Sequence, residues 1–181
     1  MVLNSALQTD HVAEVLALIR QGENSSVEFK SAQAHPDSLA RELVAFANTQ
    51  GGTLLIGVED DSHISGLNES IDYEARIANI ARNNVNPPIN IEPAIVDMPE
   101  GRILMVRVER GRDRPYQTLQ NQFLVRVGST NRTATQGELL RLFQQAGLFH
   151  YDATAVQGTD IADLNLAALD RYFSQYGFDL T

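Results

Sequence analysis

The pair Glu28 and Lys30 is the first feature of this sequence that could perform chemistry. Both residues alternate with apolar neighbours in ENSSVEFK (residues 23–30), the period-2 pattern of a half-buried strand, so they share one face. Carboxylates can hold Mg²⁺ or Mn²⁺ against a phosphate, while a neighbouring lysine steadies a nucleophilic water or the developing charge. From the pattern alone, a surface Glu–Lys pair is the simpler interpretation, and metal-dependent nuclease chemistry is the alternative.

Further acids follow a second predicted strand. Residues 53–58 form a nearly continuous apolar run, typical of a strand covered on both faces, and an acidic turn (59–61) lies at its end. If the two strands are neighbours in one sheet, this turn, Glu23 and the Glu28–Lys30 pair come together. Metal-dependent nucleases use such a layout of acids around an acid-x-Lys strand, although a solvated turn would give the same pattern.

A basic segment lies in an otherwise acidic chain. The formal net charge is −9, but residues 101–132 contain seven arginines and two acids, which gives this segment a net charge of +5. Arginine forks match phosphate oxygens in a bidentate way, and the nearby Tyr116 and Phe123 could stack on bases. Solvated strand faces and core aromatics explain the pattern equally well. The candidate nucleic-acid contacts are Arg107, Arg110, Arg112, Arg114, Arg126 and Arg132.

The composition excludes several other classes of site. The chain has no cysteine, which excludes disulfides and thiolate metal sites, and its four histidines show no ligand spacing. Gly51 and Gly52 follow a predicted helix and precede a strand, the reverse of the order in a phosphate loop, which argues against P-loop ATP binding. No apolar run approaches the roughly 20 residues that span a bilayer, and the N-terminus lacks a secretory signal pattern. We therefore expect a cytoplasmic protein without a membrane segment.

Helical patterns flank the candidate residues. One helix is predicted from a cap at Thr9 or Asp10 to Gly22. A second begins at Pro36, and Glu42 is placed on its outward face. Two further helices are predicted to begin at caps, Ser70 and a Thr135–Glu138 capping box.

The strand patterns predict two hairpins. Residues 89–96 and 103–108 form the first, in which Pro93 indicates an edge position. Residues 116–119 and 123–127 form the second.

From about residue 149 the composition becomes linker-like, and a last helical pattern follows. The predicted organisation is an N-terminal helix (1–22), a central domain (23–148), and a linker and helix leading toward a further C-terminal domain (149–181).

Several motifs together resemble one family, the Schlafen AlbA-type domain, which is described as DNA-binding in bacterial transcriptional regulators and was once grouped as a divergent AAA family. The matching segments stand in the expected order and spacing between residues 20 and 148. They are ENSSVEFK (23–30), LVAFANTQGGTLLIGVEDD (43–61) with ISGL (64–67), RPY (114–116) and FLVRVGSTNRTA (123–134).

The resemblance implies an α/β (α+β) fold in which helices pack on a mixed β-sheet. Bacterial members usually carry this domain at the N-terminus of a longer regulator, sometimes described as related to RecG-type helicases. In ribonuclease members, two glutamates around the V-E-F-K motif and an acid of the G-V-D-D motif form a metal-assisted cleavage site. Glu23 and Glu28 match the first two and Glu59 matches the third, so the resemblance makes these the candidate Mg²⁺ or Mn²⁺ ligands and, with Lys30, the candidate catalytic residues.

One difference from those ribonucleases affects the expected function. They grip folded RNA in a basic trough between two such lobes, whereas this chain has one acidic lobe, and a homodimer is the hypothesis that would rebuild a trough. The first interpretation is therefore a nucleic-acid-binding module of a bacterial transcriptional regulator, with DNA favoured over RNA and with no cofactor assigned unless the chain is a nuclease. The alternatives are an endoribonuclease that depends on Mg²⁺ or Mn²⁺ and a protein-interaction or oligomerisation module.

Overall fold

The computed structural model describes residues 2–147, 158 and 160–175. The chain divides into two compact units, residues 1–148 and 149–181. The first contains α1 (Val2–Gln21), β1 (Val27–Lys30), α2 (Pro36–Asn48), β2 (Gly52–Ile56), α3 (Tyr73–Asn83), β3 (Val85–Asn86), β4 (Ile91–Met98), β5 (Gly101–Val108), β6 (Gln117–Thr118), β7 (Leu124–Val127), β8 (Thr130–Thr133) and α4 (Gln136–Gln145). The second contains a 3₁₀ turn (Ile161–Asp163) and α5 (Leu166–Ser174).

A four-stranded mixed sheet in the order β1-β2-β5-β4 forms the centre of the first unit. β1 runs parallel to β2, which confirms that the two predicted strands are neighbours, and β5 pairs antiparallel with both β2 and β4. The β4–β5 hairpin is the first predicted hairpin, and Pro93 lies in its edge strand. Mixed sheets with packed helices confirm the predicted α+β fold.

Helices cover both faces of this sheet. On one face α1 places Val15 against Phe29 and Leu55, and on the other α2 and α3 pack over Leu54 and Leu104. Because side chains alternate along a strand, successive β1 residues enter different layers. The two layers together explain why β2 is a nearly continuous apolar run.

The start and end of α2 follow from local sequence. His35 is its N-cap and accepts from the N–H of Asp37, while Pro36 occupies the first turn, where no intrahelical donor is needed. After the helix, Gly51 has φ +80°, and a Cβ at this position would lie 2.5 Å from the carbonyl oxygen of Val108. Only glycine fits this reversal from helix to strand.

The helix starts differ from two predictions. α1 begins at Val2 instead of Thr9 or Asp10, in keeping with the helix-forming residues that precede those caps. α3 is capped by Asp72, whose carboxylate accepts from the N–H of Ala75 at 2.9 Å. The predicted Thr135–Glu138 capping box is confirmed.

The second predicted hairpin is wrong. β6 pairs with β3, and β7 pairs with β8 across the turn between Val127 and Thr130. The partner of β6 is distant in sequence, and a local pattern of apolar residues carries no information about such a pairing.

The final predicted helix is represented by α5, for which Asn165 is the N-cap. Most of the predicted linker lies outside the described residues. Among the described helices, none has the length and apolar character needed to cross a membrane.

Candidate functional site

Glu28 and Lys30 share a face of β1, but this face is covered by α2. Glu28 is 6% exposed. The amino group of Lys30 donates to Glu28 Oε1 and lies 3.6 Å from Oε1 of Glu42 in α2. The simpler prediction, a surface Glu–Lys pair, is therefore wrong, because the long side chains meet α2 instead of solvent. Glu42 was also predicted to face outward, and its 7% exposure corrects that prediction.

A second cation completes the buried group. Arg126 in β7 donates from Nη2 to Glu28 Oε2 (2.7 Å) and from Nη1 to Glu42 Oε2 (3.3 Å). Its Nε donates to the carbonyl oxygen of Asn24 at 2.9 Å, and its guanidinium carbon lies 4.8 Å from the centre of the Phe46 ring. Only 1% of this side chain is exposed. We call Glu28, Lys30, Glu42 and Arg126 the buried charge cluster.

Opposite charges balance within the buried charge cluster. Burial, followed by the charge of Glu28, raises the pKa of Glu42, although Lys30 acts in the opposite direction. For Lys30, burial by itself lowers the pKa, but the hydrogen bond to Glu28 and the charge of Glu42 outweigh it and the pKa is raised. When all four groups are ionised the cluster is formally neutral. Removing one partner would leave a buried charge uncompensated, which is strongly destabilising.

Glu23 lies on the outer edge of β1, which is an edge strand. Its Oε1 accepts a hydrogen bond from the backbone N–H of Phe29 at 3.0 Å. Along the same strand, Arg126 Nη2 donates to the carbonyl oxygen of Val27 at 2.9 Å and Lys30 Nζ donates to that of Phe29 at 3.2 Å. Side chains therefore take the place of a neighbouring strand at this edge.

Glu23, Glu28 and Glu59 do not fit a metal ion as they are placed. The strand register sets Glu28 opposite Leu54, whereas Glu59 follows the end of β2 in a turn closed by its N–H to the carbonyl of His63 (2.8 Å). Each oxygen of Glu28 already accepts from a cation. Within the described part of the chain, no group of three or more His, Asp or Glu residues could hold a metal. A Mg²⁺ ion at Glu28 would have to bind beside the two cations Lys30 and Arg126.

Three of the six arginines predicted to contact nucleic acid have carboxylate partners. Arg107 in β5 pairs with Glu14 of α1, and Arg132 makes two hydrogen bonds to Glu138, at 2.7 and 2.8 Å. Arg126 belongs to the buried charge cluster. These three side chains stabilise the fold through contacts with other elements.

Arg110 and Arg112 differ from those three because they are exposed on the loop after β5. Arg110 donates to the amide oxygen of Gln145 at 3.1 Å. Arg112 has no carboxylate partner among the described residues. The loop (109–113) lines a concavity of about 300 Å³ together with residues 88–90. Both guanidinium groups are therefore available to an anionic ligand.

Packing holds this loop in place. The N–H of Gly111 donates to the carbonyl of Ala47 at 2.9 Å, and a Cβ at position 111 would lie 2.0 Å from Cε2 of Tyr116. Asn48 accepts from the N–H of Tyr116 (2.7 Å) and donates to the carbonyls of Tyr116 (2.8 Å) and Leu124 (2.9 Å). Tyr116 is 4% exposed, so its ring is part of the core and does not present a face to a base.

Arg114 and Phe123 are also placed by packing. Arg114 is 8% exposed, and its Nε lacks a hydrogen-bond partner among the described atoms. Burial and then the charge of Arg110 lower the pKa of Arg114, so the two cations are close enough to interact. The ring of Phe123 meets that of Phe143 edge-on, with 6.5 Å between the ring centres. Neither residue offers a solvent-facing contact comparable to Arg112.

Two important polar residues were missed by the sequence interpretation. Glu42 stands three residues after Leu39 and four before Phe46, so helical spacing places it on the apolar stripe of α2. This spacing could therefore have predicted that Glu42 is buried. Asn48 carries no comparable signal, because its partners, Tyr116 and Leu124, lie more than sixty residues later in the chain.

Comparisons with known proteins identify one matching family and two solved structures with a similar fold. The model of the family "Schlafen, AlbA_2" matches residues 23–135, a range that includes the motifs from ENSSVEFK to FLVRVGSTNRTA. No curated protein matched the sequence.

Two solved structures share the fold. The DIP2311 protein from Corynebacterium diphtheriae superposes with a TM-score of 0.55 at 20% identity, over 96% of this chain and 40% of that protein. The N-terminal domain of a RecG-related protein from Nitrosomonas europaea, named after ATP-dependent DNA helicases, gives a TM-score of 0.51 at 21% identity, over 67% of this chain and 92% of that domain. The chain thus spans less than half the length of the Corynebacterium protein.

Proposed function

The chain belongs to the Schlafen, AlbA_2 family, and we propose that it acts as a nucleic-acid-binding module that contacts the phosphate backbone through Arg110 and Arg112. The family and the RecG-related neighbour support a function connected with nucleic acids. The finer part of the proposal is that the polymer is DNA and that the module serves a bacterial, cytoplasmic transcriptional regulator whose further domains lie C-terminal to it.

The exposure of Arg112 without a protein carboxylate carries this proposal. An exposed guanidinium presents a planar set of donors that matches phosphate oxygens. Four of the seven arginines of the basic segment, Arg102, Arg107, Arg126 and Arg132, already pair with a carboxylate of the fold, whereas the loop 109–113 holds two that do not. Contacts of this kind position a protein on a polymer and specify little sequence.

The buried charge cluster gives the nuclease alternative little support. Glu28 is held by two cations, and Glu23 is engaged with the backbone of β1. Metal-assisted cleavage would require a metal ion to bind Glu28 beside two cations that it already contacts. The interaction-module alternative becomes the better explanation if neither DNA nor RNA binds.

A binding assay with a cleavage readout tests these alternatives together. Fluorescence anisotropy would follow labelled duplex DNA and labelled tRNA with the wild-type chain, with Arg110→Gln/Arg112→Gln and with the control Arg20→Gln, an exposed arginine of α1. Each lost charge-assisted contact should weaken binding about tenfold, while the control stays near wild type. Unchanged binding by the double variant would refute the assigned contacts. Cleavage of tRNA that requires Mn²⁺ and is lost in Glu28→Gln would favour the nuclease.

A further inference from the structure

Arg82 is a further arginine with an exposed side chain. It lies in the last turn of α3 beside two amides on the same face, Asn79 and Asn83. The Nδ2 group of Asn83 donates to Oδ1 of Asn79, which leaves the Nδ2 group of Asn79 as a donor toward solvent. None of the ion pairs formed by the described residues involves Arg82. This face therefore presents a guanidinium and an amide donor.

The concavity beside Arg82 adjoins the one beside Arg110 and Arg112. Both are lined by Pro88, Ile89 and Asn90, so the chain segment after β3 forms their common wall. We call the surface formed by Arg82, Pro88, Asn90, Arg110 and Arg112 the arginine groove.

Backbone hydrogen bonds hold the two ends of the arginine groove on the same body. The N–H of Ile89 donates to the carbonyl of Ala81 in α3 at 3.1 Å, and Gly111 is tied to α2. Ile89 itself is 8% exposed and packs in the core with Tyr116. The spacing between the arginines is therefore set by the folded domain and does not depend on a free loop.

The chemistry of the arginine groove favours the backbone of a duplex. Among its exposed polar groups are guanidinium and amide donors, which suit phosphate oxygens. Proteins that hold single strands usually add aromatic platforms on which bases stack, and the aromatic residue lining this surface, Tyr116, is buried. Two acids, Glu109 and Asp113, line the same concavity and moderate its positive charge.

We infer that Arg82 is a further phosphate contact and that a duplex backbone runs across Pro88–Asn90, from the loop 109–113 to the end of α3. This inference rests on the proposed function. Three arginines that form no ion pair with a carboxylate, held on one rigid surface, can neutralise neighbouring phosphates of one strand. Each neutralised phosphate releases counterions, so each contact adds about 0.9 to the slope of log affinity against log salt.

The salt dependence of duplex binding tests this inference. Affinity would be measured across a salt series for the wild type, Arg82→Gln, Arg110→Gln/Arg112→Gln and the control Arg20→Gln. Arg82→Gln should bind about tenfold more weakly and reduce the salt slope by about 0.9, and Arg20→Gln should change neither. An unfolding temperature of Arg82→Gln equal to that of the wild type would show that the variant is folded.

The possible outcomes separate this inference from the function on which it rests. In one outcome the wild type binds, the double variant binds more weakly, and Arg82→Gln has the same affinity and salt slope as Arg20→Gln. The extension of the contact surface to α3 is then wrong, whereas the proposed function stands. If the wild type binds no polymer at low salt, the proposed function fails first. A single strand of the same sequence that binds as tightly as the duplex, with equal sensitivity to Arg82→Gln, would refute the duplex as the occupant.

Discussion

Arg126 and Arg112 come from the same basic segment, yet 1% of the Arg126 side chain is exposed, whereas Arg112 projects from a surface loop. The buried charge cluster satisfies each ionised group with another group of the protein. The arginine groove leaves its guanidinium groups without carboxylates. Positive charge in this chain therefore has two separate settings: one buried at the junction of β1, α2 and β7, and one on the surface, where the proposed function assigns it to an anionic partner. Burial, and not sequence position, distinguishes them.

The largest expected effect follows from removing the buried cation. Arg126→Met should lower the free energy of unfolding by about 3–5 kcal/mol, because Glu28 and Glu42 lose a partner inside the core. The matched control Arg112→Met should change it by less than about 0.5 kcal/mol, since that side chain is on the surface. Denaturant titration measures the free energy of unfolding of both variants. Equal losses in the two variants would remove the distinction between the two regions.

The position of Gly111 links the exposed loop to the core and gives the next effect. Gly111→Ala introduces a Cβ at 2.0 Å from Tyr116 Cε2, so the ring or the loop must move. We expect a loss of about 1–3 kcal/mol in the free energy of unfolding, together with weaker duplex binding. Gly137→Ala is the matched control, because a Cβ there meets nothing within 4 Å. Wild-type stability in Gly111→Ala would show that the loop is not held as described.

The change with pH in the stability difference between the wild type and Glu42→Gln reports on the buried charge cluster. The pKa of Glu42 is raised above its ordinary value of 4.5 in the folded state. The folded chain therefore binds this proton more tightly than the unfolded chain, and the resulting stability is present below pH 4.5 and is lost as the pH rises through the raised pKa. Glu42→Gln does not titrate.

We therefore expect the unfolding free energy of the wild type, relative to that of Glu42→Gln, to fall between pH 4.5 and neutrality. Denaturant titrations of both proteins over this range measure the difference. A difference that stays constant or rises with pH would contradict the raised pKa.

The smallest effect concerns the acids beside the arginine groove. Glu109→Gln removes a negative charge that lines the same concavity as Arg110 and Arg112. An exposed charge of this kind is worth about 0.5 kcal/mol, so duplex affinity should increase about twofold at low salt. The gain should disappear at high salt because screening removes it. Weaker binding by this variant would argue against a phosphate ligand at the groove.

Local patterns predicted the elements better than their long-range contacts. The alternation in β1 placed Glu28 and Lys30 on one face, and the β4–β5 hairpin with Pro93 at an edge was confirmed. The buried setting of Glu28 also involves Arg126, which lies ninety-eight residues away in the sequence. No periodicity within one element encodes such a partner.

The same limit applies to the arginines. Composition identified the basic segment, but only the fold separates the arginines with carboxylate partners from those on the loop. Arg82 lies outside that segment and has an ordinary helical context in the sequence. Its proximity to the loop depends on the path of residues 88–90, which connect β3 to β4.

The hydrogen bond from Phe29 to Glu23 also affects how copies of this chain can associate. An unprotected edge strand invites a strand from another molecule, and open-ended pairing of that kind leads to aggregates. At β1 the edge is already occupied by Glu23, Lys30 and Arg126, so a second copy gains nothing by adding a strand there. A homodimer that rebuilt a nucleic-acid trough would therefore have to form through a different surface, with β1 kept as a closed end of the sheet.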